Sequence, residues 1–383
     1  MNITLPFTNL RTYRIAVSAF FFLAGISFAS WASRIPDIKE HLHLSDGALG
    51  SVLFALPVGL MAGLPLAGWA VTKFGSKATL TFATILYPLT LVMLGLTNQI
   101  WQLAGVLFFF GLWGNLLNIS VNTQAVGVEK VYGKAIMASF HGMWSLAGFA
   151  GAGIGTLMVS AGISPFAHFT VIAAAMMLLV LVAHRYALPQ DAPHEGRQTL
   201  FAKPDSAILK LGIIAFFCMA CEGTMFDWSG VYFKTIVQAP ESSTTLGYVA
   251  FMCTMAAGRF TTDRLITRFG IKPMLRISGI LIATGLAIAI IFPYIIPATI
   301  GFLLVGFGVS SVVPTVYGLA GKSKTMSPGM ALAAVSSISF FGFLLGPPVI
   351  GFIAQASNLQ WSFALVACLG LITTLMAGKI NTD

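Results

Sequence analysis

The sequence predicts an all-α membrane protein with twelve transmembrane helices in two pseudo-symmetric six-helix bundles. Three observations carry this. Of 383 residues, 57% are hydrophobic and 9% charged, against roughly 25% charged in a soluble domain, so most of the surface must face hydrocarbon. Four stretches, Ala78 to Val128, Ala135 to His184, Ile277 to Gly321 and Thr325 to Gly378, contain no Lys, Arg, Asp or Glu and each runs 45 to 54 residues. One span needs about 20 apolar residues, so each stretch folds as two helices with a tight turn between them. Finally, the chain repeats itself: Thr72-Lys73-Phe74-Gly75-Ser76-Lys77 returns 195 residues later as Thr267-Arg268-Phe269-Gly270-Ile271-Lys272, Trp31 returns at Trp228, and Gly148-Phe149 at Gly342-Phe343.

The first helix is expected over about Ile15 to Ser33. It follows Arg11 and Arg14 and runs into Arg34-Ile35-Pro36 without a small-residue cleavage site, so it reads as an uncleaved span. Gly47 to Thr72 gives the second helix. The charge-free stretches give the third to sixth and the ninth to twelfth, broken at Thr97-Asn98-Gln99, Ser160 to Pro165, Pro293 to Pro297 and Ser357-Asn358. Leu211 to Phe233 and Ser242 to Thr262 supply the seventh and eighth. Long unbroken apolar runs satisfy their backbone internally as helices, whereas barrel strands alternate in polarity. The charged, proline-containing segment near mid-chain divides an N-terminal bundle, 1–187, from a C-terminal bundle, 210–383, through a cytoplasmic loop at 188–209.

A net charge of +9 reads as topology. With loops numbered alternately, only Arg34, Lys39 and Lys234 fall on the side away from the N-terminus. The positive-inside rule then puts both termini in the cytoplasm and the protein in the plasma (inner) membrane, with anionic lipids against the basic side. Nucleic acid is not an expected partner. All four cysteines lie within predicted helices. The Cys218-x-x-Cys221 spacing on an apolar helix is packing rather than a redox or zinc motif, so no disulfide, metal or cofactor is expected.

Acids deep in a span mark function by default, because a central carboxylate costs about 2.5 to 3.5 kcal/mol. Glu222 lies twelve residues past Lys210, about 18 Å along the helix. It is the candidate proton-coupling group, the alternative being a carboxyl hydrogen-bonded to a neighbouring helix. Asp227 is rotated about 140° from it, so the two have separate roles, Asp227 being the second proton-coupling candidate. Arg34 is expected either to pair with Asp227, as an external gate or substrate anchor, or to snorkel while Asp227 pairs with Lys234. Asn115, Asn118 and Asn122 form one helical stripe suited to hydroxyl-bearing ligands or to interhelical adhesion. His141, with Trp31 and Trp228, completes the substrate-binding candidates, a satisfied packing histidine being the alternative reading of His141. At the end of the eighth helix, Gly258-Arg259, Asp263 and Arg264 form a charge cluster, with Arg259 and Asp263 at i,i+4. Gly151-x-x-x-Gly155 and Gly342-x-x-x-Gly346 would allow close helix approach.

Parallel six-helix repeats around a central cytoplasmic loop are a known transporter architecture, and the chain resembles the major facilitator superfamily throughout its length. The superfamily's G-x-x-x-D-R-x-G-R-[RK] loop is matched by Gly68, Lys73, Gly75 and Lys77, with Thr72 where the family has its acid, and the resemblance implies a cytoplasmic gate formed by these four with Arg259, Asp263 and Arg264. Within the superfamily it is most similar to the fucose-permease-like branch and its YbjJ-type members, through Trp31-Ala32-Ser33-Arg34-Ile35-Pro36, Asn122-Thr123-Gln124 with Glu129-Lys130, His141-Gly142, Glu222-Gly223 and Asp227-Trp228. The glutamate of that branch's fourth helix is Asn118 here. The resemblance implies a monomeric secondary transporter of a small polar, sugar-like solute, working by alternating access in symport with protons. Proton-driven efflux of a metabolite or drug and a transport-dead solute sensor are the alternatives. No G-x-x-x-x-G-K-[ST] loop supports an ATP-driven pump, and the scattered intramembrane ionisable groups suggest no enzymatic reaction class.

Overall fold

The computed structural model describes residues 10–133, 136–189, 205–323, 325–326 and 328–380; the side chains of Ala138, Asp263, Pro328 and Ala333 and most of the central loop, 190–204, lie outside the described residues. The described chain is helical with short turns. In order it forms α1 (Leu10–Ser33), α2 (Ile35–His41), α3 (Asp46–Leu53), α4 (Ala55–Phe74), α5 (Ser76–Leu94), α6 (Ile100–Tyr132), α7 (Met137–Ser160), α8 (Pro165–Ala183), α9 (Ser206–Thr235), α10 (Leu246–Phe269), α11 (Ile271–Ile291), α12 (Ile295–Ala320), α13 (Pro328–Ala356) and α14 (Leu359–Ala377). Among the described residues, eleven candidate spans are long and apolar enough to cross a membrane, α3 and α4 together making one of them. The remaining long helix, α10, is 24 residues but carries Arg259, Asp263, Arg264 and Arg268, which lowers its hydropathy.

The helix ends follow local chemistry. Ser164 and Asn358 cap α8 and α14 by accepting the backbone N–H groups of Ala167 and Trp361, each cap satisfying an orphan donor. Two elements depart from the expected pattern. Pro36, in the first turn of α2, starts a short helix beyond α1, and the second span is interrupted at Phe54, between α3 and α4.

Two compact units emerge, one made of the described residues within Met1–His43 and Ala55–Glu195, the other of those within Leu44–Phe54 and Gly196–Asp383. In unit 1 the principal pairings are α1 with α7, α8 and α6, α4 with α6, and α5 with α6 and α8. Unit 2 pairs α9 with α13, α14 and α12, α10 with α12, and α11 with α12 and α14, so each equivalent helix meets equivalent neighbours. Small residues make the tightest of these contacts. A Cβ on Gly151 would meet Ala29 of α1 at 2.8 Å, and one on Gly342 would run into the Phe216 carbonyl of α9. The short α3 is packed on α13 within unit 2, where the Gly47 N–H donates to Gln355 Oε1 at 3.3 Å.

The repeated turn has the same shape twice. Gly75 (φ 82, ψ 160) and Gly270 (φ 85, ψ 164) both end one helix and start the next. This backbone region is nearly restricted to glycine. A Cβ at Gly270 would meet only Pro273 Cδ, at 3.8 Å, so strain there is purely conformational. Gly270→Ala should therefore cost about 1 to 3 kcal/mol, read as a lower thermal midpoint of the purified protein. Gly68→Ala is the control: Gly68 lies inside α4 with nothing within 4 Å of an added Cβ. It should be neutral or stabilising by up to about 1 kcal/mol through helix propensity.

Candidate functional site

In unit 2, every residue of α9 from Ala220 to Phe233 is buried, because the helix packs against α10, α12, α13 and α14. Glu222, 6% exposed, accepts a hydrogen bond from Arg259 Nη2 of α10 at 3.2 Å, forming an ion pair between neighbouring helices. The expected partner of Arg259 on its own helix, Asp263, has a side chain that lies outside the described residues. Asp227, 7% exposed, has no cation within ion-pair distance among the described residues. Trp228 is fully buried and its indole N–H meets no acceptor among the described residues. Trp31, its equivalent on α1, is 1% exposed, and its indole N–H is likewise unpaired among the described residues.

In unit 1 the guanidinium of Arg34, 2% exposed, is saturated on three sides. Nη1 donates to Asp37 Oδ2 at 2.6 Å, Nη2 to the Ile163 carbonyl at 2.7 Å and Nε to His168 Nδ1 at 3.1 Å. Arg34 thus ties the start of α2 to the α7–α8 turn and to α8, and Asp227 is not among these three acceptors. Because His168 Nδ1 accepts, the neutral ring carries its hydrogen on Nε2, which is buried and has no partner among the described residues.

The asparagine stripe divides. Asn115 is buried and its Nδ2 donates to the Leu60 carbonyl of α4 at 2.6 Å, the adhesive role. Asn118 is exposed, and Asn122 Nδ2 donates to its backbone carbonyl at 2.7 Å and to its Oδ1 at 2.8 Å. This leaves Asn118 Nδ2 and Asn122 Oδ1 as a donor and an acceptor side by side. His141 is exposed on α7 with Phe21 edge-on at 5.2 Å.

At the repeated turn, Lys73 Nζ lies over the Trp69 and Phe74 rings at 5.0 and 5.4 Å, and Arg268 lies over Phe269 at 5.4 Å. The same cation–π contact thus recurs in both units. Lys77 is half-buried, and Gly68 and Arg264 are exposed.

Three residues without an assigned role from sequence hold unit 1 together. Gln124 Nε2 donates to Ser76 Oγ and to the Leu188 carbonyl, while its Oε1 accepts from the Leu188 N–H at 2.7 Å. Glu129 Oε2 accepts the backbone N–H groups of Ile136 and Met137, both at 2.7 Å, at the start of α7. His168 is the third. A histidine in the otherwise apolar α8 was a visible signal, but only the fold supplies Arg34 as its neighbour.

The sequence matches the Major Facilitator Superfamily over residues 15–328. The chain belongs to this superfamily. An uncharacterized MFS-type transporter of Yersinia pestis is 35% identical over 363 residues, covering 94% of each chain. Among solved structures, the nucleoside transporter NupG superposes with a TM-score of 0.75 at 14% identity, covering 96% of this chain and 98% of that one. A D-xylose–proton symporter gives 0.75 at 15% identity, covering 96% and 98%. The protein therefore has the MFS fold and is a multi-pass membrane transporter of a small molecule, not an enzyme. The six matched helix pairings and the twin glycine turns are the internal duplication of that fold.

Proposed function

We propose that this MFS chain is a proton-coupled symporter of a small polar, hydroxyl-bearing solute, working by alternating access of its two halves, with Glu222 as the proton-coupling group. The Glu222–Arg259 pair carries this reading. Protonating the carboxyl removes the charge that holds Arg259, so proton occupancy is converted into a changed α9–α10 contact, the differential interaction that a coupled conformational change requires. Asp227, one and a half turns further along α9, is a second protonatable site on the same helix.

The solute class rests on neutral donors and acceptors. The Asn118–Asn122 pair, the unpaired indole N–H groups of Trp31 and Trp228, and His141 suit hydroxyl and carbonyl groups. Sugar-like solutes meet that description, and the nucleoside and xylose carriers that share the fold are compatible with it. The runs at Trp31 to Pro36, Asn122 to Lys130 and Glu222 to Trp228 support a place in the fucose-permease-like branch. Loop charge supports an inner-membrane protein with both termini cytoplasmic and with Gly68, Lys73, Gly75, Lys77, Arg259, Asp263 and Arg264 at the cytoplasmic gate.

The test is a thermal-shift screen of purified protein against sugars, nucleosides, amino acids, organic acids and drugs, repeated with Glu222→Gln. The stabilising solute is then followed into proteoliposomes under an imposed pH gradient. Accumulation driven by an inwardly acid-to-alkaline gradient in wild type and lost in Glu222→Gln supports the proposal. Accumulation indifferent to the gradient, or unchanged in the variant, overturns it.

A further inference from the structure

We propose that the residues following α8 form a strap which, closed on Gln124 of α6, fixes the glycine turn at Gly75 in place, a fastening that the twin turn at Gly270 does not share. After α8 the chain makes one 3-10 turn, His184–Tyr186, and then extends, with Ala187 at φ -71, ψ 145. Pro189 holds the residue before it out of the helical region, so Leu188 turns its N–H and C=O toward one carboxamide. Gln124 Oε1 accepts the Leu188 N–H at 2.7 Å, while Nε2 donates to the Leu188 carbonyl at 3.0 Å and to Ser76 Oγ at 2.7 Å. Both amide hydrogens of Gln124 and its oxygen are thereby used, and Ser76, Gln124, Ala187 and Leu188 are each no more than 1% exposed.

The strap is seated as well as bonded. Leu188 lines a slot with Leu10 and Tyr13 of α1 and Val128, Val131 and Tyr132 of α6. A Cβ on Gly127 would come within 2.8 Å of Leu188 Cδ1, so the glycine one turn beyond Gln124 makes the room. Ser76 is the first residue of α5 and follows Gly75 directly. The turn is therefore held by a carboxamide that is itself held by the chain leaving α8. In backbone the two turns are alike. The Gly75 N–H donates to the Val71 carbonyl at 2.9 Å and the Thr79 N–H to the Gly75 carbonyl at 3.3 Å; in the second copy Gly270 donates to Ile266 at 2.8 Å and Met274 to Gly270 at 3.3 Å. At the 195-residue offset, however, Ser76 becomes Ile271 and Gln124 becomes Leu319, neither of which has a polar side-chain atom. Backbone shape is duplicated and the fastening is not. Displacement of the chain after α8 is carried to the start of α5 through Gln124, and the Gly75 turn is the stiffer of the two.

The test is hydrogen–deuterium exchange of the full chain in lipid nanodiscs, read by mass spectrometry at Leu188, the Gly75 turn and the Gly270 turn and corrected for intrinsic exchange rates. In wild type the Leu188 amide should be protected although it lies outside any helix, and the Gly75 turn should be better protected than the Gly270 turn, since protection reports local opening. Gln124→Ala should speed exchange at Leu188 and at the Gly75 turn roughly tenfold, the factor for losing one to two hydrogen bonds of this kind, and leave the Gly270 turn unchanged. A side chain that only supported overall stability would move both turns together, so the second copy is the internal control. Leu188→Gly empties the slot but leaves Gln124 and Ser76 in place. It should also speed the Gly75 turn, which keeps the proposal testable if Gln124→Ala misfolds. Equal protection of the two turns in wild type, a Gly75 turn unmoved by Leu188→Gly, or both turns accelerating alike in either variant overturns it.

Discussion

Arg34→Ala is expected to lower the stability of the purified protein by about 3 to 5 kcal/mol, the range for removing one partner of a buried ion pair. The substitution strands three groups at once: the Asp37 carboxylate, the Ile163 carbonyl and His168 Nδ1, each now receiving a guanidinium N–H. Arg34→Lys should fall between, since one ammonium can reach Asp37 but cannot serve three acceptors in different directions. Asp37→Asn should be milder, about 1 to 3 kcal/mol, because the Asp37 side chain is 25% exposed and water compensates part of the loss. Thermal unfolding in detergent reads all three. Were Arg34 principally a substrate anchor, transport would be lost with the melting temperature unchanged, and the structural reading of this cluster would fail.

The fold was legible because its signal is coarse. A charge-free run longer than one span must turn, and polar or proline residues at Thr97 to Gln99, Ser160 to Pro165, Pro293 to Pro297 and Ser357-Asn358 showed where. The breaks between α5 and α6, α7 and α8, and α13 and α14 fall there, while that between α11 and α12 lies at 292–294, overlapping only the start of the third. The duplicated turn was visible as sequence and has the same backbone angles in both copies. The site was less legible, because spacing along a helix fixes which residues share a face but not what the face meets. Asn115, Asn118 and Asn122 do share a stripe, yet rotation of α6 against α4 turns Asn115 onto the Leu60 carbonyl and leaves Asn118 exposed. Arg34 and His168 are 134 positions apart, and nothing local links them. The interruption at Phe54 was equally silent, since an apolar run gives no sign of where its backbone changes direction.

The second large effect is a non-additive one at Glu222 and Arg259. Arg259→Ala alone should destabilise by about 3 to 5 kcal/mol, because it leaves a buried carboxylate without its cation. Glu222→Gln alone should cost less: the amide oxygen still accepts from Arg259, whose side chain is 21% exposed and can draw on water. The double variant removes both charges together and should recover much of the Arg259→Ala loss, giving an interaction energy of about 1 to 3 kcal/mol in a double-mutant cycle. Thermal unfolding measures that cycle without any knowledge of the solute. The transport arm uses the solute identified by the screen. Glu222→Gln should still exchange labelled for unlabelled solute in counterflow, since exchange needs no net proton movement, while losing accumulation driven by a pH gradient. Additive stabilities would mean that the 3.2 Å contact is too weak to transmit a proton's arrival. Coupled stabilities with gradient-driven uptake intact in Glu222→Gln would leave the pair structural and move the proton to Asp227, the other buried carboxyl of α9.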